Sequence, residues 1–172
     1  MRQSKRGSAG LAKVLNGIGI ACMAVLILTA LPLTLPRLLG YEIYGITTGS
    51  MEPELPRGSA VYVKQAQPGE IRPGDRITFV MGTDTDLVTT HRVVEIDEEN
   101  QQFITKGDAN ASADVQPVKF SRLVGKVVLG VPMLGTVSLY LHSSGGMAVC
   151  AGIFILVLLL WGIAAKMKLK ES

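Results

Sequence analysis

The two ends of the chain each carry an uncharged apolar run long enough to cross a lipid bilayer. The first run covers residues 14–35 and the second covers residues 147–165, and neither contains Asp, Glu, Lys or Arg. About 20 apolar residues suffice for a helix to cross the hydrocarbon core. We therefore predict transmembrane helices over 14–36 and 147–165, with the remainder of the chain outside the bilayer.

The first run also has the position of a cleavable signal peptide, since basic residues precede it. The apolar core of such a peptide is ordinarily about 7–15 residues long, which is shorter than this run. The stretch behind it, LPLTLPRLL, offers bulky side chains where cleavage needs small ones. Both observations favour a retained anchor.

Basic residues flank both runs on the side of the chain termini. Lys and Arg beside a span tend to stay in the cytoplasm, so we predict cytoplasmic basic tails at residues 1–13 and 166–172. The segment 37–146 then lies on the extracytoplasmic face of the plasma membrane, and it carries ten Lys and Arg against thirteen Asp and Glu. The net charge of +3 is therefore due to the tails, and a nucleic-acid partner is not expected.

Both cysteines, Cys22 and Cys150, lie inside the apolar runs. A thiol in such surroundings behaves as a small hydrophobic group, whereas a nucleophilic thiolate needs an accessible, electropositive setting. Thiol-based enzymes are therefore disfavoured. The sequence also lacks a cluster of His, Cys and carboxylate residues at zinc-site spacing, so no metal is expected.

The segment 37–146 alternates short apolar runs with turn-forming residues. The runs are SAVYVKQ, RITFVMG, TTHRVVEID, QFITKGD and RLVGKVVLGV. Runs rich in Val, Ile, Phe and Tyr that are separated by Gly, Pro, Asp and Asn are typical of β-strands. We predict a mainly β fold, with one compact antiparallel β-domain outside the membrane between N- and C-terminal transmembrane helices. Residues 131–146 fit either a last strand or an interfacial segment.

Three polar stretches of this segment contain the residue types of a serine nucleophile, its general base and the carboxylate that orients the base. Ser50 lies in TTGSMEPELP, His91 in TTHRVVE, and Asp108 and Asp114 in KGDANASAD. A serine attacks a carbonyl when a histidine takes its proton and a carboxylate holds that histidine. Each feature alone is also ordinary, as a solvated turn, a half-exposed residue at the start of a strand, or a glycine-containing loop. Sequence spacing does not show that they meet in space.

Together these stretches resemble three ordered boxes of the type I signal peptidases. The boxes are Gly49-Ser50-Met51-Glu52-Pro53 with Leu55-Pro56-Arg57-Gly58-Ser59, then His91-Arg92-Val93-Val94, then Lys106-Gly107-Asp108-Ala109-Asn110 with Asp114. In the common bacterial enzymes a lysine base precedes the Arg-Val of the second box. His91 fills that position here, as in the endoplasmic reticulum-type branch of eukaryotes, archaea and some Gram-positive bacteria.

The resemblance implies a role for each of these residues. Ser50 would attack the scissile carbonyl, and His91 would accept its proton and return it to the leaving amine. Asp114 would orient His91, with Asp108 either supporting the loop or taking that part itself. The backbone N–H of Ser50 and the hydroxyl of Thr48 would hold the oxyanion.

The resemblance also implies where the reaction takes place. Ser50 follows soon after Pro36, which closes the first apolar run, so the nucleophile would lie near the lipid surface with Met51 as an apolar contact there. A substrate cut just beyond its own membrane-inserted segment presents its scissile bond at that depth.

The function implied is that of a signal peptidase I, a membrane-bound serine endopeptidase that removes N-terminal signal peptides from secreted preproteins. It would cut after small residues at the third and first positions before the bond, and it would use no cofactor. Its partners would be preproteins, the lipid bilayer and components of the secretion machinery. Two alternatives stay open. The first is a catalytically inactive membrane-anchored β-domain that acts as a subunit or adaptor of a secretion complex. The second is a Ser-Lys processing protease, which would need a lysine in place of His91.

Overall fold

The computed structural model describes residues 2–82 and 86–169. The chain divides into two compact units. One is formed by the terminal stretches up to Leu33 and from Tyr140, and the other is the stretch Thr34–Leu139. The first unit is helical and the second contains the β-sheet, as the apolar runs and the alternating segment predict.

Three helices are present in the described part of the chain: α1 over Arg2–Leu38, α2 over Leu134–His142 and α3 over Ser144–Leu169. The stretch Gly10–Leu38 of α1 and the whole of α3 are long and apolar enough to cross a membrane. The prediction of two apolar helices at the ends of the chain is confirmed. Both extend beyond the predicted spans, and α1 includes most of the basic tail assigned to 1–13, while residues 170–172 of the second tail lie outside the described residues.

The two long helices approach each other closely at a glycine. A Cβ atom added to Gly19 of α1 would lie 2.4 Å from the indole Nε1 of Trp161 on α3. That distance is shorter than any real Cβ contact, so the indole packs on α1 only because residue 19 lacks a side chain. Small residues serve the same purpose at many interfaces between apolar helices.

The second unit contains one antiparallel sheet of seven strands. The strands are β1 (Tyr41–Gly45), β2 (Ala60–Lys64), β3 (Arg76–Val80), β4 (Val88–Asp97), β5 (Gln102–Lys106), β6 (Val118–Lys119) and β7 (Leu123–Val131). Their spatial order is β1-β2-β7-β3-β4-β5-β6. Register shifts interrupt the pairs β2–β7, β3–β7 and β4–β5, and because such bulges increase local twist, the sheet curls. The predicted fold class is confirmed.

Two clusters of buried apolar side chains form the core of this unit. The first comprises Ile46, Met51, Leu55, Val61, Val63 and Val127, and the second comprises Ile71, Ile77, Phe79, Val93, Phe103 and Val118. Met51 is only 1% exposed. The expectation that Met51 contacts the membrane is therefore wrong. Its side chain points into the protein instead, where full burial of such a side chain contributes about 1.5–3 kcal/mol.

The expectation of a last strand over 131–146 is wrong, because most of this segment forms α2 and the start of α3, while an interfacial position stays a prediction. Strand β7 ends at Val131, and Met133 has a φ of 60°, which turns the chain into α2. The first turn of α2 lies against the segment before β2: a Cβ atom at Gly135 would lie 2.5 Å from the carbonyl oxygen of Ser59, and the backbone N–H of Thr136 donates to the carbonyl of Gly58 at 3.0 Å.

Candidate active site

Ser50 lies in the turn between β1 and β2. The turn is held by backbone hydrogen bonds from the N–H of Glu52 to the carbonyl of Gly49 at 3.1 Å and from the N–H of Leu55 to the carbonyl of Met51 at 2.8 Å. The side chains of Met51 and Leu55 are both buried in the core beneath it. The turn therefore has an apolar underside that fixes it to the sheet, while Ser50 stays partly exposed on top.

His91 lies on β4 and faces Ser50. It pairs with Ile77 in the sheet, and the ring of Phe79 meets the imidazole edge-on at 6.3 Å between centroids. The Nε2 atom of His91 is 3.2 Å from the Oγ atom of Ser50. This separation is at the long end of hydrogen-bonding distance, which is usual for such pairs before substrate binds.

Asp114 lies on the other side of the imidazole. Its Oδ2 atom is 2.6 Å from Nδ1 of His91, and both side chains are mostly buried, with 13% of His91 and 22% of Asp114 exposed. A carboxylate at Nδ1 favours the tautomer in which Nδ1 carries the proton and Nε2 is free to accept one. Three of the residues singled out in the sequence thus come together in the order serine, histidine, carboxylate.

The hydroxyl of Thr105 holds the same carboxylate oxygen. It donates to Oδ2 of Asp114 at 2.6 Å, and the backbone N–H of Asp114 donates to the carbonyl of Thr105 at 2.8 Å. The Thr105 side chain is completely buried on β5. Asp114 is therefore fixed at both its backbone and its carboxylate, which keeps Oδ2 directed at His91.

Asp108 has a different partner. It accepts two hydrogen bonds from the guanidinium of Arg92, from Nε to Oδ1 and from Nη2 to Oδ2, each at 2.7 Å. The same guanidinium donates to the carbonyl of Gly74 at 2.7 Å and to the carboxylate of Glu54. The hydrogen bond to Asp108 is the main reason that the pKa of Arg92 lies above its ordinary value. Asp108 thus connects its loop to Arg92 on β4 and, through Arg92, to Glu54 in the turn after Ser50.

The loop that carries Asp108 also supports the backbone of Ser50. The N–H of Ala109 donates to the carbonyl of Ser50 at 2.9 Å. A Cβ atom at Gly107 would lie 2.7 Å from that carbonyl oxygen and 3.0 Å from the Cβ atom of Ser50. The glycine of the third box is therefore required for the loop to approach the serine this closely.

Thr48 lies beside Ser50, with 3.2 Å between the two hydroxyl oxygens. Both residues line a cavity of about 280 Å³, here named the Ser50 cavity, whose walls are Tyr44–Thr48, Ser50, Met51, Met81 and Leu87–Thr90. Burial and a hydrogen bond to Glu42 raise the pKa of Tyr44 to about 12, so the tyrosine is neutral at physiological pH. The cavity wall is thus uncharged and largely apolar.

Comparison with known proteins agrees with the three boxes, although no family model matches the chain. The chain is 42% identical over 86 residues to signal peptidase I W of Bacillus subtilis (strain 168), a match that covers 48% of this chain and 44% of that protein. It is 36% identical over 73 residues to the human signal peptidase complex catalytic subunit SEC11C, covering 40% and 37% of the two chains. These matches support the signal peptidase I family. The canine SEC11C matches equally well.

The signal peptidase relatives are matched over less than half of their own length. Within the described residues, Ser50, His91 and Asp114 form a hydrogen-bonded series, whereas Asp108 contacts Arg92 and supports its loop. Sequence reasoning missed the part played by Thr105 and Glu54. The only signal in the sequence for Thr105 is its place directly before the third box, and none distinguishes Glu54 from any other exposed acid.

Proposed function

We propose that this protein is a membrane-bound serine endopeptidase that removes N-terminal signal peptides from preproteins. The observation that carries the proposal is the hydrogen-bonded series from Ser50 Oγ through His91 to the carboxylate of Asp114. The named relatives support it, since they are signal peptidases at 42% and 36% identity over the matched parts of the chain.

The reaction follows from the proton-accepting position of His91. Its Nε2 atom takes the hydroxyl proton of Ser50 as Oγ attacks the carbonyl carbon before the cut, and Asp114 stabilises the imidazolium that forms. The N–H of Ser50 and the hydroxyl of Thr48 stabilise the negative charge on the carbonyl oxygen. The imidazolium then protonates the leaving amine, and water hydrolyses the acyl-enzyme by the same route.

The Ser50 cavity is the proposed site for the residues before the cut. It lies along the chain segment that leaves β1 and along the start of β4, so an extended peptide placed there has backbone groups of this protein on both sides. Its largely apolar walls suit uncharged side chains, and the resemblance to signal peptidases implies small residues at the third and first positions before the bond.

The orientation proposed for the protein places the β-domain on the extracytoplasmic face of the plasma membrane. It rests on α1 and α3, the two helices able to span a membrane, and on the basic residues at both ends of the chain. Both termini are then cytoplasmic, and preproteins meet the β-domain as they emerge from the secretion machinery.

The test is cleavage of a purified preprotein by the full chain in liposomes, with the cut site read by mass spectrometry. We expect one cut after the signal peptide. A matched preprotein with phenylalanine at the residue before the cut should be cleaved at least about a hundredfold more slowly, because the signal peptidases that this chain resembles cut after small residues. Absence of cleavage in both preproteins would favour the inactive membrane-anchored β-domain.

Thr105→Val should lower kcat for cleavage about tenfold and leave KM unchanged. Valine fills the same volume but does not donate to Asp114, so the carboxylate loses the hydrogen bond that directs it to His91. Thr105→Ser restores the hydroxyl and should recover most of the activity, although it leaves a small cavity. Equal activity of the Val and Ser variants, at matched thermal stability, would show that the hydroxyl does not position Asp114.

A further inference from the structure

A second cavity is lined by the imidazole of His91. This cavity, here named the His91 cavity, measures about 220 Å³ and is lined by Phe79, Met81, Thr89, His91, Asp114, Gln116 and Arg122. Ser50 lines the first cavity and not the second, while His91 and Asp114 line the second and not the first. The two cavities therefore contact different members of the Ser50–His91–Asp114 series, and Met81 and Thr89 contribute to both.

This division assigns one side of the substrate to each cavity. The acyl part of the substrate becomes bonded to Oγ of Ser50, whereas the leaving amine takes its proton from Nε2 of His91. Residues before the cut thus lie on the Ser50 side, and residues after the cut lie on the His91 side. The His91 cavity is placed to receive the first residues of the mature protein.

Arg122 gives the His91 cavity a positive charge that lacks a counter-ion in the described part of the chain. Its Nη1 donates to the carbonyl of Met81 at 3.2 Å and its Nη2 to the carbonyl of Pro117 at 3.1 Å. Within residues 10–82 and 86–169, no carboxylate forms an ion pair with it, unlike Arg76 and Arg92. The two carbonyls fix the guanidinium in place without neutralising it.

Three of the five N–H donors of this guanidinium have no partner among the described residues: the Nε–H and one N–H on each of Nη1 and Nη2. The Nε atom of Arg122 is buried and makes no hydrogen bond with any described residue. A buried donor without an acceptor is costly, and an unpaired guanidinium binds carboxylates more strongly than neutral oxygens. Asp114 lines the same cavity, but its Oδ2 is bonded to His91 and Thr105, and neither of its oxygens contacts Arg122 in the described residues.

We propose that the His91 cavity is a subsite for an acidic side chain within the first two residues after the cut, which Arg122 binds through guanidinium N–H groups that the two carbonyls leave free. The proposal rests on the proposed function and adds to it a preference on the mature side of the bond. It predicts that preproteins whose mature part begins with Asp or Glu are cleaved faster than their amide counterparts.

The test uses pairs of preproteins that differ only by Glu or Gln, first at position one and then at position two after the cut. For the wild type we expect kcat/KM to be about five- to tenfold higher for the Glu substrate than for the Gln substrate in one of the two pairs. This ratio should fall towards one as salt is raised. In Arg122→Gln that ratio should be about one. Because each ratio is measured within one enzyme, loss of folded protein cancels.

Lys119→Gln is the matched control, since it removes one positive charge from an exposed residue nearby. It should keep the wild-type ratio of kcat/KM between Glu and Gln substrates. Equal cleavage of Glu and Gln substrates by the wild type at both positions would overturn the proposal. A Glu preference that survives in Arg122→Gln would also overturn it, because the preference would then not depend on Arg122.

A binding measurement separates this proposal from the proposed function. Labelled peptides that begin with Glu-Ala or Gln-Ala, and others that begin with Ala-Glu or Ala-Gln, are titrated against the full-length Ser50→Ala variant, with and without Arg122→Gln. Tighter binding of a Glu peptide that depends on Arg122 supports the subsite even if no preprotein is cut. Equal binding of each Glu and Gln pair counts against the subsite, even if wild-type cleavage is normal.

Discussion

Replacing Ser50 by alanine should reduce cleavage of a signal-peptide-bearing preprotein by at least about a thousandfold, because it removes the only atom that forms the covalent bond to the substrate. His91→Ala should have an effect of similar size, since no other imidazole or amine lies within hydrogen-bonding distance of Ser50 Oγ in the described residues. The double variant should be no worse than either single one, because the two groups act as a unit.

Both variants should stay folded. Ser50 is partly exposed, the mostly buried side chain of His91 belongs to neither core cluster, and the turn is held by Met51 and Leu55 beneath it. Circular dichroism and thermal unfolding in detergent should therefore match the wild type, and Ser121→Ala, which changes an exposed serine, should cleave normally. If wild type and Ser50→Ala cleaved alike, Ser50 would be an ordinary turn residue, and the anchored binding domain would be the better account of this chain.

The fold could be predicted where a local pattern decides it. Uncharged runs gave the two long helices, and alternating apolar runs gave the strands. Helix α2 could not be predicted in the same way, because VPMLGTVSLYLH is apolar on nearly every side and has no helical or strand period. The strand order could not be predicted either, since β7 pairs with both β2 and β3, and such contacts leave no local trace in the sequence.

The candidate site could be predicted from its three boxes, but the partners of its two aspartates could not. Asp108 and Asp114 share one loop, and either can reach β4. The pairing of Arg92 with Lys106 across β4 and β5 fixes where that loop begins. Arg92 is therefore close enough to bind the carboxylate of Asp108. Only the return of the chain alongside Thr105 brings Asp114 to the imidazole. Both steps depend on long-range register.

The structure therefore predicts different outcomes for the two aspartates. Asp114→Asn should lower kcat about a thousandfold with little change in KM or in unfolding temperature. Asparagine keeps the shape of the side chain but not its charge, so it no longer stabilises the imidazolium that forms as Ser50 attacks. Steady-state cleavage of a preprotein in liposomes, together with a thermal melt of the same sample, measures both quantities.

Asp108→Asn should act on stability first. It breaks the bidentate pair with Arg92, whose side chains are 16% and 28% exposed, and leaves a mostly buried guanidinium with Glu54 and a carbonyl as its partners. For a pair that is partly solvated we expect a loss of about 2 kcal/mol in the free energy of unfolding. Activity per folded molecule should fall much less than in Asp114→Asn. The opposite pattern, with a stable but inactive Asp108→Asn and an active Asp114→Asn, would make Asp108 the residue that orients His91.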